Sequence, residues 1–185
     1  MNEKFNNLKK EIFEFAKLLV FWFLIFLVVT KFLVSPIQVV GSSMHPTLKD
    51  KERGFTSVIS KNFEIERFDI VVVNAKGSND DHWVKRIIGM PNETIECKND
   101  VIYINGEVLD QSFLDNDWLE KEKIMYGYFT EDFGPYTLKE NEYFLMGDNR
   151  THSTDSRDVG AFTKEEISSV GIFIYYPFEE FGIKE

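Results

Sequence analysis

A largely apolar run of seventeen residues near the N-terminus constrains the fold more than any other feature of the sequence. It reads LLVFWFLIFLVVTKFLV from Leu18 to Val34 and contains a single charge, Lys31. As a helix it would be about 25 Å long, close to the ~30 Å hydrocarbon thickness of a bilayer. A buried helix of a small globular protein carries a polar face, whereas this run is apolar on every side. We therefore expect a transmembrane anchor over residues 18–34.

A cleaved secretory signal is the main alternative interpretation of this run. A cleavage site needs small residues just after the apolar segment, but Ser-Pro-Ile-Gln-Val-Val follows, and only the pair Val39 and Gly41 faintly resembles such a site. Lysines lie on both sides of the run, so the positive-inside rule gives little guidance. Residues 1–35 carry a net charge of +2 and the remainder −12. This asymmetry favours a short cytoplasmic N-terminus, residues 1–17, with the body on the extracytoplasmic side of the cell membrane.

The composition of the chain excludes several classes of protein. Its 185 residues carry a formal net charge of −10, and we therefore expect no nucleic-acid partner, because phosphate binding needs clustered positive charge. A single cysteine, Cys97, excludes an intramolecular disulfide and a cysteine-based zinc site. Three scattered histidines lack metal-ligand spacing, so we expect neither a metal nor a cofactor. The composition makes no prediction of oligomeric state.

The body, residues 35–185, has the pattern of a mainly β domain. Short β-branched or aromatic runs predict strands at 69–73, 83–88, 101–104, 143–146 and 170–176. Asn105-Gly106 supplies two positive-φ positions and predicts a tight hairpin after the third of these strands. The segment at about 110–139 has scattered aromatic and acidic residues and is interpreted as an insertion between strands. Thr163 begins a capping-box pattern that predicts only one or two helical turns.

Three clusters of reactive residue types stand out against the strands: GSSMHPTL at 41–48, WVKRIIGMP at 83–91 and GDNRTHSTDSR at 147–157. Taken alone, the first fits a plain turn. The third is dense in charge but directly follows an apolar strand, so part of it should be buried and mutually paired.

Lys85 is the residue of the second cluster that is best suited to catalysis. Alternate residues of a strand share a face, so its amine points the same way as Trp83 and Ile87. Among apolar groups, desolvation favours the neutral amine, which can take a proton from a serine hydroxyl. The alternative interpretation, when Lys85 is considered without the other clusters, is a charged residue of an edge strand whose amine stays in water.

Taken together, the clusters resemble those of the bacterial type I signal peptidases, in the single-span branch typical of Gram-positive bacteria. The segment 41–48 resembles the box with the nucleophile, and 84–91 resembles the box with the general-base lysine. Arg67-Phe-Asp-Ile-Val-Val resembles the box between them, and 147–157 matches the last box at every defined position. The resemblance covers residues 36–177 in order and includes the preceding anchor.

The resemblance implies a membrane-anchored, largely antiparallel β peptidase with a Ser-Lys dyad. The serine directly before Met is the nucleophile in the family, which selects Ser43, and Lys85 matches the general base. The supporting residues carried over are Ser153, which would hold the lysine amine, the ion pair of Asp155 and Arg157, and a second pair of Asp148 and Arg86.

The resemblance also implies the partners. Signal-peptide-bearing preproteins would be bound as extended strands and cut after small residues at the first and third positions before the cleavage site. The residues matching pocket or edge positions are Ile37, Val39, Met44, Trp83 and Val84. The lipid bilayer is the second expected partner, since Ser43 follows the anchor closely.

Three positions depart from the family pattern. Gly41 occupies the place of a second oxyanion donor, a serine, and leaves that donor unidentified. Phe68 replaces a glycine, and Asn92-Glu93 replaces Gly-Asp. Asparagine tolerates a left-handed backbone, so we expect the turn at Asn92 to survive.

Two other functions remain open at this point. A Ser-His-Asp triad would use His152 or His82 as the base. A catalytically inactive, membrane-tethered β protein would bind exported chains without cutting them.

Overall fold

A long N-terminal helix leads into a body of antiparallel strands. The computed structural model describes residues 2–63, 65–77 and 81–184. Helix α1 spans Asn2–Phe32, and its apolar window Lys9–Val29 has a mean hydropathy of 2.5 with no part buried inside the protein. By length and composition this helix could cross a membrane.

The helix bounds differ from those of the predicted anchor. The helix also includes residues 2–17, which were predicted as a separate segment, and it ends before residue 34. Val34 is already in a strand and lies opposite Ser57 in an antiparallel ladder. Val58 N–H donates to the Leu33 carbonyl at 3.1 Å, so sheet pairing takes over the backbone groups that would have continued the helix.

Within the described residues the body contains twelve strands and two further α-helices. The strands are β1 (Val34–Gln38), β2 (Arg53–Ser57), β3 (Ile70–Asn74), β4 (His82–Gly89), β5 (Thr94–Lys98), β6 (Val101–Ile104), β7 (Glu107–Val108), β8 (Phe133–Thr137), β9 (Glu142–Met146), β10 (Phe162–Thr163), β11 (Ile167–Tyr176) and β12 (Gly182–Lys184). The helices are α2 (Asn116–Tyr126) and α3 (Ser156–Val159). Single 3-10 turns occur at Ser60–Asn62, Arg150–His152, Lys164–Glu166 and Phe178–Glu180.

The larger sheet places the motif-bearing strands next to one another. In the described chain its order is β1-β2-β11-β3-β4-β9-β10, with β12 added to β11, and the neighbouring strands are antiparallel. Strand β4 therefore lies inside the sheet between β3 and β9. The ladder to β9 begins at Arg86, however, so burial of Lys85, and not its place in the sheet, is what excludes an amine that stays in water.

A smaller sheet, ordered β7-β6-β5-β8, packs beside the larger one. Its β6–β7 hairpin closes at Asn105 and Gly106, whose φ angles of 52° and 84° confirm the predicted tight turn. Ile95, Cys97 and Ile102 from this sheet join Ile88 and Phe144 of the larger sheet in one buried cluster. The two sheets therefore share part of their hydrophobic core.

The predicted insertion contains regular structure that the sequence pattern did not reveal. Helix α2 begins after Asp115, whose side chain accepts the Trp118 N–H at 2.9 Å, and ends at Gly127, which has a φ of 84°. Strand β8 closes the segment and pairs with β5. Ile124 and Met125 of α2 are exposed, so the helix lacks the apolar periodicity by which helices are recognised.

Candidate active site

The loop between β1 and β2 presents Ser43 at the surface of the larger sheet. The next residue, Met44, is buried, and so is Leu48, whose N–H donates to the Met44 carbonyl at 2.9 Å. Both side chains join a cluster that contains Ile70 and Ile174. These apolar anchors fix the loop, while Ser43 itself stays partly exposed.

Lys85 of β4 is buried in the described structure, with a relative exposure of 3%. Its Nζ lies 5.7 Å from the centre of the Trp83 ring, and Trp83 packs on the buried cluster that contains Ile87. The face predicted by strand alternation is therefore confirmed. Burial lowers the pKa of the Lys85 amine from 10.5 to about 8, against the opposing effect of the Asp155 charge.

Gly147 is the point at which the three motif segments meet. The register of β4 and β9 pairs Arg86, the neighbour of Lys85, with Met146, the neighbour of Gly147. A Cβ atom at Gly147 would collide with the Ser153 side chain and with the Ser43 carbonyl oxygen. Only glycine fits this close approach, because it has no side chain.

Asn149 ties the Ser43 loop to the last motif through two hydrogen bonds. Its backbone N–H donates to the Ser43 carbonyl at 3.0 Å, and its Nδ2 donates to the Ser42 carbonyl at 3.0 Å. The sequence analysis did not assign this role to Asn149. A loop that is 106 residues away in sequence therefore holds the backbone around the serine.

Ser43 and Lys85 line the same small cavity. This inner cavity has a volume of about 130 Å³, and its walls include Val39, Met44, Trp83 and Val84. A longer strand cavity of about 450 Å³ adjoins it and is lined by Ile37, Val72, His82, Val84, Ser169 and neighbouring residues. The residues expected to form substrate pockets thus line these two cavities.

A third, outer cavity of about 360 Å³ overlaps the inner cavity and shares Ser43 and Lys85 with it. Its lining includes Ser42, His152 and Thr154 in addition to the serine and the lysine. The His152 ring nitrogens contact Tyr126 and Thr151, at 3.2 and 2.9 Å respectively. The imidazole that the alternative Ser-His-Asp triad would use is therefore engaged with groups other than Ser43.

Asp148 and Arg86 form the buried ion pair that the family resemblance implies. Arg86 Nε and Nη2 donate to the two carboxylate oxygens at 2.9 and 2.8 Å, and the side chains are 1% and 0% exposed. Thr47 Oγ1 also donates to Asp148, at 2.6 Å. The pair therefore links β4, the loop after β9 and the end of the Ser43 loop.

Asp155 and Arg157 form the second pair. Arg157 Nε and Nη2 donate to the Asp155 carboxylate at 2.8 and 2.9 Å, and the same carboxylate accepts the Gly147 N–H at 3.0 Å. Burial alone would raise the pKa of Asp155, but the hydrogen bond and charge of Arg157 lower it. A capping box between Asp155 and Asp158 begins α3 at this point.

Ser153 precedes this helix, and its hydroxyl is buried. Within the described residues its Oγ makes no hydrogen bond of good geometry, but the hydroxyl interacts with the Asp155 carboxylate and helps to lower the pKa of that group. A buried hydroxyl that is not firmly bonded is unusual and is typical of a functional position. Its contact with Gly147 brings it to the point where the Ser43 loop and β4 meet.

Arg150 is a structural residue that the sequence analysis missed. It is almost completely buried, and its guanidinium donates to the Gly147 carbonyl at 3.0 Å, to Thr130 at 3.1 Å and to Gln111 at 2.5 Å. Burial lowers its pKa to about 10. Its position in a charge-dense loop directly after a buried strand is the sequence signal that could have identified it.

The departures from the family pattern have backbone explanations. Phe68, in place of glycine, has a φ of 76°, and Asn92 has a φ of 67°. Both are left-handed positions at which glycine is favoured, so the turn expected at Asn92 is confirmed. The Phe68 ring packs on Phe113 at a centroid distance of 4.9 Å, a contact that glycine could not make.

Comparison with known proteins decides the family. Residues 12–176 match the family described as signal peptidase, peptidase S26. The chain belongs to the S26 signal peptidase family. The chain is accordingly a serine endopeptidase, and the family resemblance given by its motifs is confirmed.

Individual S26 peptidases agree with this assignment. The chain is 43% identical to signal peptidase I S of Bacillus subtilis over 93% of each chain, and 40% identical to signal peptidase I of Bacillus amyloliquefaciens over 93% and 92%. A crystal structure of a signal peptidase I from Enterococcus faecalis matches with a TM-score of 0.51 and 32% identity, covering 58% of this chain and 97% of that one. The mainly antiparallel β fold of an S26 peptidase is therefore confirmed as well.

Proposed function

We propose that this protein is a membrane-anchored endopeptidase that removes N-terminal signal peptides from exported preproteins by a Ser43–Lys85 dyad. The observation that carries the proposal is the buried Lys85 amine, with a pKa of about 8, in the same cavity as Ser43. The family assignment supports the reaction class, and the cavity supports the roles of the two residues.

In the proposed first step, neutral Lys85 accepts the proton of the Ser43 hydroxyl. The oxygen then attacks the scissile carbonyl carbon and forms a tetrahedral oxyanion, to which the Ser43 backbone N–H donates. The Lys85 ammonium returns the proton to the leaving amine, and the C–N bond breaks. The signal peptide is then an ester on Ser43, and the mature chain leaves with a new amino terminus.

In the second step, Lys85 acts on water. The amine, neutral again, takes a proton from a water molecule whose oxygen attacks the ester carbonyl. Collapse of this second tetrahedral intermediate returns the proton to Ser43 Oγ and releases the signal peptide with a carboxylate end. We assign to Ser153 the task of holding the Lys85 amine in place, because its hydroxyl is buried beside Gly147 and is not firmly bonded to another group.

The proposed specificity follows from the cavities. An extended peptide places alternate side chains on one face, so the first and third residues before the cut would point the same way. The inner cavity, at about 130 Å³, suits a small side chain at the first position. The strand cavity adjoins it through Gln38, His82 and Val84, and would receive the third.

The proposed topology places Ser43 just outside the lipid. Helix α1 exposes large apolar side chains, such as Phe21 at 56% and Leu24 at 55%, which lipid would cover. β1 follows directly, so the catalytic loop is joined to the span by only a few residues. We propose a single-pass protein of the cell membrane with its catalytic domain on the extracytoplasmic side.

The test is cleavage of a preprotein by the detergent-solubilised full chain. Ser43→Ala and Lys85→Ala should each abolish cleavage, whereas His152→Ala should retain it. Loss of cleavage in His152→Ala together with retention in Lys85→Ala would replace the dyad with a histidine-based mechanism. Retention in Ser43→Ala would refute the proposal in either form.

A further inference from the structure

The insertion helix α2 contacts both loops that carry the site. The Trp118 ring lies 4.3 Å from the His45 ring, two residues after Ser43. Further along the helix, Glu122 accepts a short hydrogen bond from Thr151, close to Ser153 in the chain. The segment predicted as a variable insertion thus packs against both loops next to the site.

The contacts of α2 fix the orientation of the His152 imidazole. The Thr151 hydroxyl has one proton and donates it to the Glu122 carboxylate, its strongest acceptor. Thr151 Oγ1 therefore accepts from His152 Nδ1–H at 2.9 Å, and the Tyr126 hydroxyl lies 3.2 Å from Nε2. Both ring nitrogens are thus engaged, and His152 lines the outer cavity.

The overlap of the three cavities gives the direction of a bound peptide. The strand and inner cavities share Gln38, His82 and Val84, while the inner and outer cavities share Ser43 and Lys85 among other residues. The strand and outer cavities share no residue within the described chain. The strand, inner and outer cavities therefore follow one another along a single path, with Ser43 and Lys85 where the inner and outer cavities meet.

This inference rests on the proposed function. If the residues before the cut occupy the strand and inner cavities, the chain beyond the scissile bond must enter the outer cavity. We propose that the outer cavity is the binding site for the first residue of the mature chain and that His152, held by α2, determines its specificity. An uncharged polar side chain of medium length fits best, because its stem covers the ring while its end reaches the hydroxyls of Ser42 and Thr154.

The experiment compares two preproteins that differ only at the first mature residue, Gln or Gly, cleaved in competition in one reaction. The ratio of their kcat/KM values does not depend on the amount of active enzyme, so partial misfolding of a variant does not affect it. We expect the wild type to favour the Gln substrate about fivefold. This is the gain expected when the stem of the Gln side chain and the His152 ring cover a small apolar area of each other. His152→Ala should bring the ratio close to one.

Glu122→Gln tests the role of α2, since it weakens the charged acceptor that orders Thr151 and His152. We expect it to lower the Gln/Gly ratio at least about twofold. Glu120→Gln is the matched control, because Glu120 is exposed on the same helix and the charge change is identical. This control should leave the ratio unchanged, and none of the three variants should alter selectivity at the third position before the cut.

The inference is overturned if the wild type cleaves both substrates equally, or if His152→Ala slows both to the same extent. The second result would make His152 a purely structural residue. Neither result affects the dyad, which fails only if Ser43→Ala or Lys85→Ala still cleaves. The two proposals therefore fail separately.

Discussion

Replacing Lys85 by methionine should stabilise the protein while abolishing its activity. The side chain is 3% exposed, and burial disfavours its charged form. Methionine has a similar length, fills the same space and carries no charge to desolvate. The free energy of unfolding at pH 7 should therefore rise in Lys85→Met.

The size of the gain follows from the pKa of the amine. A fall from 10.5 to about 8 corresponds to about 3 kcal/mol at 1.36 kcal/mol per pKa unit. For a domain of this size, that corresponds to a rise in Tm of about 6–12 °C. Below pH 8 Lys85 is protonated in both the folded and the unfolded wild type, so the folded state bears the whole cost of desolvating the charge. Between pH 8 and 10.5 the unfolded state binds more protons, so wild-type stability rises with pH and the advantage of the variant disappears.

The assay is reversible urea unfolding of the solubilised chain at pH 7, 8, 9 and 10, followed by tryptophan fluorescence. Lys164→Met is the matched control, because Lys164 is exposed and its replacement should change stability by less than about 0.5 kcal/mol at each pH. A Lys85→Met variant that is less stable than the wild type at pH 7, or whose advantage does not change with pH, would refute the argument from desolvation.

Three further substitutions test the surroundings of the dyad. Asp148→Asn removes the carboxylate that forms the buried ion pair with Arg86 and should lower the free energy of unfolding by about 3–5 kcal/mol in a urea titration. Gly147→Ala forces the Ser43 loop away from β9 and should lower kcat/KM at least about 100-fold. Ser153→Ala should lower kcat/KM about 10-fold or more but change the free energy of unfolding by only about 1 kcal/mol, because the hydroxyl makes no hydrogen bond of good geometry and Arg157 remains the main partner of Asp155.

Each of these expectations has a contrary result. Unchanged stability in Asp148→Asn would mean that the Arg86 charge is compensated elsewhere. Full activity in Gly147→Ala would show that the close approach is not required for catalysis. A loss of more than about 2 kcal/mol in Ser153→Ala would assign the hydroxyl a structural role.

Much of the β structure could be predicted because its signals are local. The hairpin at Asn105-Gly106 and the apolar runs of β3, β4 and β9 need no information from distant residues. β1 was missed because its first residue continues the apolar run and Pro36 interrupts its pattern. Gly134 and Pro135 obscured β8 in the same way.

Helix α2 was not predicted although Asp115 and Gly127 are local capping signals, because it lacks an apolar stripe and is held by tertiary contacts. Its packing depends on Trp118 against His45 and on Glu122 with Thr151, whose partners lie far away in sequence. The candidate site, too, was predictable in part from local sequence and in part only from the fold. The motifs singled out Ser43, Lys85 and the charged pairs as candidates, but the close approach of the Ser43 loop to Gly147 follows from the fold. The roles of Asn149 and Arg150 required the fold.

The central claim is that the Lys85 amine is mostly neutral a little above pH 8 in the folded protein. An NMR titration of labelled lysine side chains in Ser43→Ala protein measures this directly, with the Lys85 signal assigned by its absence from the spectrum of protein that also carries Lys85→Met. The account predicts a pKa of about 8. A pKa near the ordinary 10.5 would leave Ser43 without a base at the pH of the cell surface and would contradict the dyad.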